Sequence, residues 1–252
     1  MIRTALLLVV FIPATLICAG TCLIAGMLGV RDRAGGVYDT MQQLWARAGI
    51  WAAGVRVVLH GAEHARGGRQ ILVGNHVSWF DVLALASTIP RCRFVAKREV
   101  RRVPLIGPAA EHAGHVYIER DNRKAAFEQY KLAAQRIHEG ARIIVFAEGT
   151  RGYDYPLRPF KKGPFVLAVS AEVPVVPMLV HGTIRIMGKG SLATRAGTVN
   201  IHFLPPIETK GLTYEDRDEL AVKTRDAMAA LLKREYGVES PPWDPRGGKG
   251  NA

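Results

Sequence analysis

Two residues five positions apart, His76 and Asp81 in the run Asn75-His76-Val77-Ser78-Trp79-Phe80-Asp81, are of the types that move protons. A carboxylate on one imidazole nitrogen fixes the tautomer and leaves the other nitrogen free as a general base. Five positions on one regular helix turn about 500°, leaving the two side chains about 140° apart. On a single helix they cannot meet. They meet if His76 sits on a strand-to-helix turn and Asp81 points back from the first helical turn. Ser78 lies between them, but no Gly-x-Ser-x-Gly elbow occurs in the chain. A His–Asp pair without a nucleophile suits direct deprotonation of a substrate hydroxyl. Taken alone, the same spacing also reads as a capped helix beside a structural histidine.

Three further segments hold polar groups at strand ends. Phe146-Ala147-Glu148-Gly149-Thr150-Arg151-Gly152 follows the apolar run Ile143-Ile144-Val145, and glycines around an Arg make a loop where backbone donors and a guanidinium converge on phosphate. Tyr117-Ile118-Glu119-Arg120-Asp121 is a second strand end with an Arg. Pro174-Val175-Val176-Pro177-Met178 puts two prolines in one strand, which predicts an edge or a bulge. His60-Gly61-Ala62-Glu63-His64 matches a zinc-peptidase pattern, but that chemistry needs both histidines on one helix face and turn residues flank the match. His112 and His115 are expected to line a loop.

The elements that must position these groups alternate in type. Strands are predicted at 55–59, 71–74, 93–96, 115–118, 142–146, 175–180 and 198–203, and helices at 78–87, 122–139, 164–171 and 214–236. Asp121 is the expected N-cap of the second helix, with Gly140 just past its end, and Gly237 closes the last. Short apolar runs alternating with amphipathic stretches are the pattern of an α/β fold. The division expected is an N-terminal membrane-anchoring helical segment at 1–50, one catalytic domain at 51–240 and a disordered tail at 241–252, too poor in apolar residues to pack.

Residues 4–30 carry no charge and lie between Arg3 and Arg31. The run exceeds the roughly 20 residues that span hydrocarbon and the roughly 7–15 of a signal peptide's apolar region. Pro13, Gly20, Gly26 and Gly29 weaken a single straight helix and permit a bent or re-entrant hairpin. Arg31, Arg33 and a strongly basic remainder place the main domain on the cytoplasmic side of an inner, cytoplasmic membrane. The 252 residues hold 34 Lys and Arg against 22 Asp and Glu, a net charge of +12. That excess predicts an anionic partner. Six of those cations lie between Arg91 and Arg102, a solvated face or a surface for anionic lipid headgroups or an acidic carrier protein. Nucleic acid is disfavoured, because no zinc, helix-turn-helix or aromatic RNA-binding signature accompanies the charge. Three cysteines, two of them in the apolar run, exclude a disulfide-stapled secreted domain.

In this order the four segments, from about Gly61 to His181, resemble the 1-acyl-sn-glycerol-3-phosphate acyltransferase family. Asn75-His76-Val77-Ser78-Trp79-Phe80-Asp81 is similar to its NHxSxxD block, and Phe146–Arg151 to its FPEGTR block. Val116–Asp121 and Val173–Met178 resemble the other two, and Lys97, Pro104 and Gly107 fall where the family has a basic residue followed by Pro and Gly. Two positions depart: Ala147 replaces a proline and Gly152 a serine, which is expected to alter loop stiffness or acceptor preference rather than chemistry. The resemblance implies an α/β fold with a mixed central sheet flanked by helices, and direct acyl transfer from acyl-CoA or acyl-acyl carrier protein to the sn-2 hydroxyl of lysophosphatidate. It implies that His76 is the base and Asp81 its orienting carboxylate. It also implies that Arg120 and Arg151 hold the acceptor phosphate, that Glu148, Gly149 and Thr150 shape that pocket, and that Lys97 adds positive charge. No metal or other cofactor is called for. The competing expectations are an enzyme of the same fold with another acceptor, such as a lyso-ornithine lipid, and a non-catalytic basic membrane-binding protein.

Overall fold

The run Ile71-Leu72-Val73-Gly74 contains no polar residue because both its faces are covered, as in the central strand of a parallel sheet. The computed structural model describes residues 2–119 and 123–245. Its strands are β1 (Val55–His60), β2 (Ile71–Gly74), β3 (Cys92–Lys97), β4 (Val116–Ile118), β5 (Arg142–Phe146), β6 (Val175–His181) and β7 (Gly197–Phe203). They form one sheet in the order β1-β7-β6-β2-β5-β3-β4. Every pairing is parallel except β6 with β7, so the sheet is mixed. Between the strands lie α3 (Trp79–Thr88), α4 (Ile106–His112), α5 (Arg123–His138), α6 (Gly163–Ser170) and α7 (Thr183–Ile186), preceded by α1 (Ile2–Met27) and α2 (Val37–Ala53) and followed by α8 (Arg217–Tyr236). Alternate strand residues enter different cores. Ile71, Val73, Ile143 and Val145 pack under α5, α6 and α8, whereas Leu72, Ile144, Met178 and Val180 pack under α2 and α3.

The prolines of 174–178 do not mark an edge, since β6 lies between β7 and β2. Pro177 survives there because its neighbour swerves at Pro205 and Pro206. Leu204 donates to the Pro177 carbonyl at 2.9 Å, and the ladder resumes only where Val175 and Ile207 exchange bonds at 2.9 and 2.7 Å. The helix expected at 214–236 starts as a 3-10 turn, Tyr214–Asp216, before α8. The tail is not wholly unpacked: the Pro241 carbonyl accepts from Arg225 at 2.8 Å, and Trp243 packs against Phe160 with ring centroids 6.1 Å apart. Residues 246–252 and the expected N-cap Asp121 lie outside the described residues.

α1 is one continuous helix through Pro13, about 39 Å long at 1.5 Å per residue, and is long and apolar enough to cross a membrane. It lies against the domain along one stripe. Cys18, Ala19, Cys22 and Ala25 are buried with Tyr38 of α2 and Ala109 and Ala113 around α4. Leu8, Val9, Ile12, Leu16 and Ile17 stay exposed. Trp45 of α2 donates to the Thr15 hydroxyl at 2.9 Å. At Gly26 a Cβ would fall 2.4 Å from the His112 ring, so only glycine lets α1 approach α4 this closely. Where the hairpin turns, Asp32 and Asp39 converge on the fully buried Arg93 of β3 at 2.8 and 2.6 Å.

Candidate active site

β2 and β5 are adjacent and parallel, with Gly74 opposite Phe146. The segments that follow them, 70 residues apart in sequence, therefore leave the same sheet edge side by side. At the carboxyl ends of open parallel strands, backbone groups and side chains face a crevice.

His76 lies on the turn after β2, and Ser78 is the N-cap of α3, its hydroxyl accepting from the Phe80 amide at 3.2 Å. Asp81 stands at the third helical position and reaches back. Its Oδ2 accepts from His76 Nδ1 at 2.8 Å, from the Val77 amide at 2.7 Å and from the Ser78 amide at 2.8 Å. The bent geometry required by the spacing is thus the geometry formed, and the capping box is what forms it. Asp81 is fully buried, while the His76 side chain keeps 16% exposure. With Nδ1 engaged, Nε2 has no partner among the described residues. Phe146 stacks on the imidazole, centroids 4.0 Å apart and planes 9° apart, and holds the ring flat. Asn75, which the sequence reading left without a role, ties the turn to β6: its amide donates to Val180 O at 3.0 Å and accepts from Val180 N at 2.8 Å.

The loop after β5 is a tight turn in which Gly149 N donates to Phe146 O at 3.0 Å, with Gly149 at φ +79°. Two bonds fasten it to the histidine strand: Ala147 N to Gly74 O at 3.0 Å and Gly152 N to His76 O at 2.8 Å. The proline that Ala147 replaces could not make the first of these. Glu148 does not face the crevice as a free pocket wall. Its carboxyl is buried and accepts from Arg158 Nε at 2.6 Å. Burial pushes it up to about 7 against the opposing pull of Arg158 and of the His76 backbone. Arg158 also donates to the Thr150 carbonyl. It is the residue that shapes this loop, and no spacing in the sequence marks it.

His76 opens onto a cavity of about 350 Å³ beneath the α1–α2 hairpin. Its walls are apolar, including Cys18, Cys22, Trp45, Val82, Phe94 and Ala109. At the His76 end lie Trp79, Gly149, Thr150 and Arg151, with the Arg151 guanidinium 5.2 Å from the Trp79 ring centroid. Lys97 also lines it. The structure thus brings together His76, Asp81, Lys97, Gly149, Thr150 and Arg151, with Glu148 behind them. Arg120 lies outside the described residues.

His112 is the last residue of α4, whereas His115 stands in the loop between α4 and β4 and lines the cavity. It accepts from Phe94 N at 3.0 Å and faces Gln42 Oε1 at 2.9 Å. Burial, aided by Arg93, holds its pKa down to about 3, so it is neutral. His60 and His64 share no helix: His60 ends β1, bonds Asn200 at 3.0 Å and stacks on His202. No group of three metal-ligating side chains occurs among the described residues.

Comparisons with known proteins identify the family. The chain is 36% identical over 185 residues to a 1-acyl-sn-glycerol-3-phosphate acyltransferase of Limnanthes douglasii, covering 73% of this chain and 66% of that one. It is 34% identical over 183 residues to human 1-acyl-sn-glycerol-3-phosphate acyltransferase alpha, covering 71% and 65%. The match therefore spans just under two-thirds of these relatives. The solved structure of the 1-acyl-sn-glycerophosphate (LPA) acyltransferase PlsC from Thermotoga maritima superposes with a TM-score of 0.75 at 26% identity, covering 95% of this chain and 99% of that one. A family model described as Acyltransferase matches residues 56–181, the stretch that runs from β1 to the end of β6 and contains every charged group of the crevice, and the chain belongs to that acyltransferase family.

Proposed function

We propose that the protein transfers an acyl group from a thioester, acyl-CoA or acyl-acyl carrier protein, to the sn-2 hydroxyl of 1-acyl-sn-glycerol-3-phosphate, giving phosphatidate. The observation that carries this reading is the oriented imidazole at the mouth of an apolar cavity: His76 bonded to Asp81 at 2.8 Å, with Arg151 and Lys97 lining the same space. His76 Nε2 takes the hydroxyl proton as the oxygen attacks the thioester carbonyl. The C–O bond forms, the C–S bond breaks, and the imidazolium returns the proton to the departing thiolate. Asp81 keeps Nδ1 protonated and stabilises the imidazolium. Arg151 binds the acceptor phosphate bidentately, with Arg120 as its expected second guanidinium and Lys97 adding charge. Gly149 and Thr150 shape the phosphate pocket, and Glu148 acts through Arg158. The cavity under α1 and α2 takes a hydrocarbon chain. The thioester is already an activated acyl donor, so no metal or other cofactor enters.

The exposed apolar face of α1 attaches the protein to membrane, with the basic domain toward the cytoplasm. There both lipid substrates are concentrated on one surface. The test is transfer from radiolabelled acyl-CoA and acyl-acyl carrier protein to lysophosphatidate, comparing wild type with His76→Ala. Loss of at least about 10²-fold is expected, the scale of a general base. Unchanged turnover in the variant would return the site to a structural role. Activity only with an acceptor lacking a phosphate monoester, such as a lyso-ornithine lipid, would reassign Arg151.

A further inference from the structure

Between α7 and β7 the chain runs Met187-Gly188-Lys189-Gly190-Ser191-Leu192-Ala193-Thr194-Arg195-Ala196. This loop is pinned at both ends to parts of the molecule already described. At one end the Ser78 hydroxyl, the cap of α3, donates to Met187 O at 2.6 Å. At the other, Thr194 N donates to the Thr4 hydroxyl in the first turn of α1 at 3.0 Å, and Thr194 is itself buried. Arg195 N donates to Ile186 O at 3.0 Å and closes the loop on itself. It therefore stretches from the catalytic corner to the start of the apolar helix.

What it presents outward is unusual for a loop so firmly tied. Leu192 is 85% exposed, the same as Ile2 at the start of α1. Near Gly54 the start of α1, the end of α2 and the end of the loop converge. A Cβ there would lie 2.9 Å from the Arg3 guanidinium carbon and 3.2 Å from the Ala196 Cβ. Trp51, three residues before Gly54, is 67% exposed. Ile2, Trp51 and Leu192 are thus exposed apolar side chains on the three segments that converge there. Arg3 stands on the first of these segments and Arg185, Lys189 and Arg195 on or beside the loop, and residues 173–207 contain no Asp or Glu. Lys189 Nζ sits 4.1 Å from the ring centroid of Tyr153, which is also exposed, on the segment following Arg151.

We propose that this loop is a second membrane-contacting element, with Leu192 entering the interface of an anionic lipid surface beside α1 while Lys189 and Arg195 bind lipid headgroups. Apolar tips flanked by cations are what such an interface selects. The loop is bonded to the first turn of α1, whose apolar side chains Leu8, Val9, Ile12, Leu16 and Ile17 are exposed, which points to lipid rather than another protein as its occupant. The proposal rests on the reading of α1 as the membrane attachment and is independent of which acceptor is acylated. Because the loop is bonded to the α3 cap, lipid contact there fixes the crevice relative to the bilayer surface.

The test uses the full chain with single reporter cysteines carrying an environment-sensitive fluorophore, bound to phosphatidylglycerol–phosphatidylcholine vesicles with brominated acyl chains. The three native cysteines are buried, so labelling falls on the introduced one. Leu192→Cys is the probe, Leu16→Cys on the exposed face of α1 the reference, and Lys210→Cys the solvent control. Quenching at 192 comparable to that at 16, with none at 210, is the expected result. Quenching at 16 but not at 192 overturns this proposal and leaves the α1 attachment standing. Quenching at neither position overturns both. A spectral shift at 192 that appears without vesicles and grows with protein concentration makes the patch a contact between copies and overturns it too. Leu192→Asp should leave thermal unfolding in detergent unchanged and weaken vesicle partition about tenfold, the worth of one buried leucine side chain. Unchanged partition would overturn it.

Discussion

Two buried acid–arginine groups face opposite demands. At the hinge of the α1–α2 hairpin, Asp32 and Asp39 both bind Arg93, whose side chain is fully buried. Burial pulls Arg93 down, but the two carboxylates overcome it and its pKa ends raised. Beside the His76 turn a single carboxylate, Glu148, meets Arg158, whose side chain keeps 32% exposure. There burial wins, and Glu148 rises to about 7. Two acids on one enclosed cation make a fixed fastening; one acid on a half-solvated cation makes a group that titrates near neutrality. The first holds the hairpin that roofs the cavity. The second holds the loop that carries Arg151.

The contrast breaks most visibly at Arg93. Arg93→Met leaves Asp32 and Asp39 buried without their cation and should cost about 3–5 kcal/mol in chemical denaturation. A loss below about 1 kcal/mol would mean the hinge is wetter than its burial indicates. Next comes the titration of Glu148. Its carboxyl binds a proton more tightly folded than unfolded, so its contribution to stability is full below about pH 4.5 and is lost as pH rises to about 7. Glu148→Gln removes that slope. The stability difference should move in the variant's favour by on the order of 2–3 kcal/mol across this window and stay constant above it. Parallel curves for the two proteins would place the carboxyl in solvent. Arg158→Ala should cost about 1–2 kcal/mol and, by freeing the Thr150 carbonyl, raise KM for the phosphorylated acceptor more than for the thioester. Equal changes in both would deny the loop that selectivity. The smallest effect belongs to Arg91, which reaches Asp32 and Asp39 only at 3.6 and 3.9 Å. Arg91→Ala should cost about 1 kcal/mol, since its guanidinium lies beyond hydrogen-bond distance of both acids, and a loss above about 3 kcal/mol would make Arg91 a full member of the hinge.

The strands were legible because burial on both faces leaves apolar runs: the bounds of β2 and β5 agree with the reading of 71–74 and 142–146. The contact between His76 and Asp81 was legible because both residues and the cap that bends them lie close together in the chain. What could not be read joins distant residues. Arg158 is the partner of Glu148 because a loop returns, and Arg93 meets Asp39 across 54 positions. Gln42 reaches Cys92 and His115, 50 and 73 residues away. α4 escaped because Ile106–His112 is short, and its N-cap Leu105 adopts φ +63°, which propensity does not anticipate. The prolines at 174 and 177 read as an edge or a bulge because the compensating swerve at Pro205 and Pro206 lies beyond the end of β7, about 30 residues on.

Asp81 closes the first turn of α3 with the same oxygen that holds His76. On the proposed mechanism, proton transfer and the integrity of that helix start therefore cannot be varied separately at this position. An ageing or mutated population of this enzyme should lose active molecules rather than active-site quality: each copy either has the corner formed and turns over at the full rate, or has it undone and is silent. Counting active sites by titration, beside measuring bulk rate, would make that all-or-none behaviour visible.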